Sequence, residues 1–170
     1  MDLKERVSEY PNFPKKGILF RDFSPILKDP SALSYITDEF TKYFHPKDVD
    51  VFAGIESRGF ILACLMASRY NKGMIMIRKS GKLPGKTIKL SYKIEYGQDT
   101  IEIQKDVIER GQKVIICDDL LATGGTAKAS AKLIEKVGGI ISGFAFMIEL
   151  TELKGMRLIS NYNCKSLVKY

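Results

Sequence analysis

Val114-Ile115-Ile116-Cys117-Asp118-Asp119-Leu120-Leu121-Ala122-Thr123-Gly124-Gly125-Thr126 is the stretch on which the fold of this chain turns. Its unbroken apolar start is what a strand shows when both faces are covered, as in a parallel sheet with helices above and below. Two acids and a small-residue turn follow. Beyond them Thr126 to Val137 places Ala131, Leu133, Ile134 and Val137 on one helical face, and Gly138-Gly139 stops it. In an open parallel sheet, ligands bind beyond the carboxyl ends of the strands, which is where Asp118 and Asp119 emerge. Carboxylates there can accept hydrogen bonds from a ribose diol. The turn Ala122, Thr123, Gly124, Gly125 and Thr126 offers successive backbone N–H groups at a helix N-terminus, whose dipole favours an anion. Glycines let the backbone approach closely, and the two threonines add hydroxyl donors. A phosphate monoester fits that cradle.

This turn is not a Walker A loop, because no lysine directly follows its second glycine, and it contains no Gly-x-Gly-x-x-Gly. A lone Thr-Gly-Gly-Thr could equally be an ordinary strand-to-helix turn with a cap. The strand, the paired acids and the helix start around it carry the phosphate reading.

Outward from this unit the pattern repeats. Short apolar strands at Val49 to Ala53, Met74 to Ile77, Lys113 to Cys117 and Ile140 to Ile148 alternate with helices, which predicts βαβ units and an α/β fold with a parallel sheet flanked by helices. Gly59 to Tyr70 is apolar nearly all round and suits a helix buried against that sheet. Ser31 can cap a helix with apolar positions at 33, 36, 40 and 44 that closes near His45-Pro46. At the N-terminus, Leu3 and Val7 have helical spacing over Asp2 to Tyr10, and Pro11 to Gly17 reads as an irregular loop. Arg78 to Gln104 breaks the rhythm with a hairpin excursion around Ile88 to Tyr92 and Ile94 to Tyr96, the kind of segment that serves as a lid or binding loop.

Composition limits the rest. A chain of 170 residues, 45% apolar and 28% charged, fits one domain with a core of ordinary size. Cys64, Cys117 and Cys164 are odd in number, far apart and set in apolar sequence, so a disulfide framework is not expected. With His45 as its one histidine, the chain lacks the makings of a His/Cys zinc site, and His45 before Pro46 reads as a surface residue. The charged N-terminus and apolar runs far below the roughly 20 residues that span a bilayer predict a cytoplasmic protein with no membrane partner. A net charge of +7 favours anionic ligands, but the basic residues are scattered and form no nucleic-acid-binding module.

At Asp118 to Thr126 the sequence resembles the type I phosphoribosyltransferases, whose signature is an apolar strand, paired acids and a Thr-Gly-Gly-Thr loop. The resemblance extends to the adenine-specific members through Phe13 to Asp22, Ser57-Arg58-Gly59-Phe60, Arg78 to Gly85, Glu95-Tyr96-Gly97 and Glu102 to Asp106. These blocks keep the family's order from residue 13 to residue 126. The resemblance implies transfer of a phosphoribosyl group from phosphoribosyl pyrophosphate (PRPP) to adenine, giving AMP and pyrophosphate, with Mg²⁺ held mainly by PRPP and water rather than by a protein cage.

Residue by residue, the resemblance gives Asp118 and Asp119 the ribose hydroxyls and Ala122, Thr123, Gly124, Gly125 and Thr126 the 5′-phosphate. Ser57, Arg58, Arg78, Lys79 and Lys82 would bind pyrophosphate, partly across the interface of a homodimer. Ser80 stands where relatives often carry a second basic residue. Leu19, Phe20 and Arg21 would form the adenine site within an N-terminal hood of about residues 1–30. Glu95 would meet the purine N7 proton as the catalytic acid or base, and Tyr96 would help cover the substrates from a flexible lid of about residues 79–98. Hypoxanthine-, guanine- and xanthine-specific relatives use other base-contacting segments, and a PRPP-sensing regulator normally needs a nucleic-acid-binding appendage that this chain has no length to hold.

Overall fold

The computed structural model describes residues 1–94 and 97–170. A single 3₁₀ turn at Lys4–Arg6 leads into β1 (Ser8–Pro11), which pairs antiparallel with β2 (Leu19–Asp22). The helix expected over residues 2–10 does not form. Two apolar positions give so short a helix little to bury, whereas pairing with β2 satisfies the backbone of residues 8–11. The hood is therefore a small two-stranded sheet.

After α1 (Ser24–Leu27) comes α2 (Pro30–Tyr43), and its cap is Asp29 rather than Ser31. The Asp29 Oδ1 accepts from the Ser31 and Ala32 amides at 2.8 and 3.4 Å, and the Ser31 hydroxyl donates to the same oxygen at 2.6 Å. Pro30 takes the first helical position, where its missing N–H goes unneeded.

Among the described residues the main sheet has seven strands in the order β5-β6-β4-β3-β7-β8-β9. Here β3 is Val51–Ile55, β4 Gly73–Lys79, β5 Thr87–Ile94, β6 Gly97–Gln104, β7 Lys113–Leu121, β8 Ile140–Glu149 and β9 Cys164–Lys169. Strands β4, β3, β7, β8 and β9 run parallel, as the alternating pattern predicts. The excursion joins the sheet instead of standing off it: β5 and β6 pair antiparallel over their lengths, and β6 joins β4 antiparallel through Arg78↔Glu102 and Lys79↔Ile101. Lys79 thus ends a main-sheet strand, and the hairpin begins at Thr87.

Helix α3 (Gly59–Tyr70) connects β3 to β4 on one face, and α4 (Gly125–Lys136) connects β7 to β8 on the other. Ile115 and Cys117 of β7 face a core with Phe40, Phe52 and Met66, while Val114 and Ile116 face a second core with Leu133, Phe144 and Phe146. Both faces of β7 are dry, which is why its sequence reads as a continuous apolar run. Because the two crossovers leave on opposite faces, the boundary between β3 and β7 is the switch point of the sheet, where a crevice opens past the strand ends.

Candidate active site

At that crevice β3 runs into Glu56-Ser57-Arg58 and then α3. The Glu56-Ser57 peptide bond is cis. Gly59 allows the close approach, since a β-carbon there would sit 2.6 Å from the Cys117 carbonyl and 3.0 Å from the Asp118 carboxylate. Arg58 reaches across to Asp119, with Nη2 2.8 Å from Oδ2. Its guanidinium also lies 5.1 Å from the centre of the Phe20 ring and 5.6 Å from that of Phe23. One arginine therefore ties together the expected base segment, the loop expected to bind pyrophosphate and the paired acids.

The two acids differ in surroundings. Both lie within β7, which runs on to Leu121, and not beyond its end. Asp119 has Arg58 as its partner. Asp118 accepts the Asp119 amide on its own Oδ1 at 2.9 Å, and burial first, then the neighbouring Asp119 charge, push its carboxyl well above the usual range.

Past the acids, Gly124 takes the left-handed conformation (φ +84°) and the chain enters α4, whose first amides have no partner within the helix and no side-chain cap at Gly124. Asp118, Leu120 to Ala127 and Phe146 line a cavity of about 90 Å³. The loop rests on Gly155 of the segment after β8. A β-carbon on Gly155 would overlap the Ala122 carbonyl and stand 2.8 Å from the Gly124 amide, and one on Gly124 would overlap the Gly155 carbonyl. The phosphate-type loop is thus buttressed by backbone.

Its Thr126 hydroxyl is 3.0 Å from that of Tyr92 on β5, whose ring lies against Gly125. Burial raises the Tyr92 pKa, which keeps the hydroxyl protonated.

On the opposite rim, Glu56 organises the basic segment at the end of β4. Its Oε2 accepts Arg78 Nε at 3.1 Å and the Lys79 amide at 2.7 Å. The Lys79 ammonium is 3.4 Å from Asp99, and Lys82 is exposed on the following turn. Phe20 reaches the site through its contact with Arg58 and packs edge-on to Phe13 with ring centres 5.2 Å apart. Strand alternation turns Arg21 the other way, over the Tyr170 ring at 4.0 Å and 3.4 Å from Glu9. Its side chain lies off the site and its backbone is what it can offer a base. Leu19 is exposed at the start of β2. Glu95 and Tyr96 lie outside the described residues.

The structure thus brings Phe20, Arg58, Asp118 and Asp119 together and sets the Ala122–Thr126 cradle and the basic turn on either side. Glu56, Tyr92, Asp99 and Gly155 were not legible as site residues, because each acts through partners at least twenty residues away.

Residues 33–169 match the phosphoribosyl transferase domain. The chain is 78% identical over all 170 residues to an adenine phosphoribosyltransferase of Nitrosopumilus maritimus, covering 100% of both proteins. Among solved structures, it is similar to an adenine phosphoribosyltransferase of Thermoanaerobacter pseudethanolicus (45% identity, TM-score 0.94, covering 99% of this chain and 98% of that one). It is also similar to the Saccharomyces cerevisiae enzyme complexed with adenine and an imino-altritol bisphosphate (39% identity, TM-score 0.90, 96% and 95% covered). The geometry and these likenesses agree: the chain belongs to the phosphoribosyltransferase family, in its adenine phosphoribosyltransferase branch.

Proposed function

We propose that this protein transfers the 5-phosphoribosyl group of PRPP to adenine, giving AMP and pyrophosphate, and that Mg²⁺ is its cofactor. The observation that carries the reading is Arg58, whose one guanidinium stands 2.8 Å from Asp119 and over the Phe20 ring. That contact brings an aromatic face, a cation and a pair of acids into a single crevice, which supports a base, a diphosphate and a ribose diol as their respective ligands.

In this reading the Ala122–Thr126 amides and hydroxyls grip the 5′-phosphate, and Asp118 and Asp119 accept the ribose hydroxyls. Adenine lies on Phe20, held at its edge by backbone of residues 19–21. Its N9 attacks the anomeric carbon as the bond to pyrophosphate breaks, and the purine N7 proton leaves to Glu95, a role that rests on the family resemblance. Charge building on the leaving group is met by Arg58, Arg78, Lys79 and Lys82. The Asp118 and Asp119 carboxylates are hard oxygen donors that suit Mg²⁺, which keeps waters and takes phosphate oxygens for most of its ligands. Bound there, it would neutralise part of the diphosphate charge.

Ile61 and Met76 are exposed apolar side chains on α3 and β4, elements that pack together, and they support a homodimer. Among the described residues no helix is long and apolar enough to cross a membrane. The three free thiols suit a reducing, cytoplasmic setting.

Incubating the protein with PRPP, Mg²⁺ and each purine base in turn tests the reading. AMP should form from adenine, and faster conversion of hypoxanthine or guanine would overturn the base assignment. Glu95→Gln should lower kcat by about 10²–10⁴-fold; near-normal turnover would remove Glu95 from the mechanism.

A further inference from the structure

Glu102 sits in the middle of β6 between Ile101 and Ile103, and it is 1% exposed. Nothing in its neighbourhood requires a charge for packing, and a buried carboxylate is costly unless its oxygens are satisfied. They are satisfied by one turn. Three successive amides converge on Oε1: Gly81 at 2.8 Å, Lys82 at 3.0 Å and Leu83 at 3.1 Å. The Thr87 hydroxyl donates to Oε2 at 3.1 Å, and the Lys89 ammonium stands 3.7 Å from the same oxygen. Burial works to raise the Glu102 pKa, but the Leu83 amide, the Thr87 hydroxyl and the other two amides outweigh it, so the group stays ionised.

The turn so held is the one that carries Lys79 and Lys82. Its other attachments lead back to the site: the Ser80 amide donates to the Thr100 carbonyl at 3.0 Å, Arg78 Nη1 donates to the Lys82 carbonyl at 3.3 Å, and Glu56 holds the Lys79 amide. We propose that Glu102 is a positioning residue for pyrophosphate, an internal anion that gathers the amides of residues 81–83 and thereby fixes the two lysines beside the leaving diphosphate. This rests on the assignment of Lys79 and Lys82 to pyrophosphate given above. The turn is an anion-binding nest filled by the protein's own carboxylate. That leaves the lysine ammonium groups, and not the amides, to meet the substrate.

Steady-state kinetics of Glu102→Gln and Glu102→Leu tests this, with Lys79→Ala/Lys82→Ala as the reference. The leucine variant leaves three amides without their acceptor, so its KM for PRPP and its inhibition constant for pyrophosphate should rise together by about tenfold or more. Glutamine keeps an acceptor oxygen, folds with the same shape, and should give a smaller rise of the same kind. In both variants the KM for adenine should move by less than about twofold, because the base segment lies elsewhere. A fall in kcat with PRPP and pyrophosphate affinities unchanged would show a merely structural role and overturn the proposal. If the double lysine variant weakens pyrophosphate while neither Glu102 variant does, the proposal alone fails. If the double lysine variant leaves pyrophosphate binding intact, the lysine assignment and the proposal fail together.

Discussion

Asp118→Asn should make the protein more stable and less active at once. In the folded chain, burial and the Asp119 charge raise the Asp118 pKa, so the ionised form is penalised on folding. In the unfolded chain the same group titrates near about 3.9. Below that value both states are protonated and the native Asp118 costs nothing. As pH rises, the unfolded chain loses its proton first, and the penalty accumulates until the folded pKa has been passed. Asparagine removes the charge but keeps the Oδ1 acceptor for the Asp119 amide. The gain near neutral pH should be that of relieving one poorly compensated buried group, about 1–3 kcal/mol. For a chain of this size that is a rise in Tm of about 2–10 °C. Thermal unfolding of both proteins from acid to neutral pH measures it, with PRPP-dependent AMP formation assayed in parallel. The Tm difference should vanish toward acid pH and grow as the pH rises toward neutrality, while PRPP use falls. A variant less stable than the native protein at neutral pH, or a gain that does not depend on pH, would refute the electrostatic account. Retained PRPP use would refute the assignment of the ribose site.

Gly155→Ala should disturb the site from behind the loop that it supports. Its β-carbon would meet the Ala122 carbonyl and Gly124 amide, backbone atoms that cannot rotate away, so a loss of about 1–3 kcal/mol and a raised KM for PRPP are expected; unaltered melting and kinetics would show that the loop is not buttressed there. Tyr92→Phe removes the partner of the Thr126 hydroxyl at a net cost of about 0.5–1.5 kcal/mol. Amide hydrogen exchange over Thr87–Ile94 should speed up, and unchanged protection would mean that this contact does not hold the hairpin down.

The parts of this fold that could be read in advance share a property: their signal is local. The apolar run of β7, the all-round apolarity of α3 and the Thr-Gly-Gly-Thr turn each state their environment within a dozen residues. Where the structure departs from the local pattern, competition between partners decides. Leu3 and Val7 carry a helical spacing, yet residues 8–11 find β2 and become a strand. Ser31 is a good cap by type, but Asp29 two residues earlier offers a carboxylate to the Ser31 and Ala32 amides, and the helix starts before Ser31 can cap it. Cys164–Lys169 is too short and mixed to announce itself, and becomes β9 because the edge of β8 is there to receive it. Among the site residues the division is the same. Asp118, Asp119 and the phosphate-type loop are contiguous, whereas Glu56, Glu102 and Gly155 matter only through what the tertiary fold brings to them. Arg21 shows the limit of motif reading, since strand alternation sends its side chain to Tyr170 while Phe20 beside it faces the crevice.

The β5–β6 ribbon can also be viewed as a beam. Each strand is eight residues, about 26 Å in length, and the ribbon is built into β4 at its base through two residue pairs. Near its far end it has a second support, the Tyr92 contact with Thr126. A beam held at both ends resists bending far more than one clamped at its base alone, where a rotation of about 10° about the pairs with β4 would swing the overhang beyond Ile101, about 13 Å long, by about 2 Å at its tip. A phosphate that draws the Thr126 hydroxyl to itself would remove that outer tie and leave the packing of Ile88 and Leu90 on the α4 side of the sheet to hold the rest. Filling the cradle would then loosen the outer end of the ribbon through the exchange of one hydroxyl's partner, without any strand having to unpair.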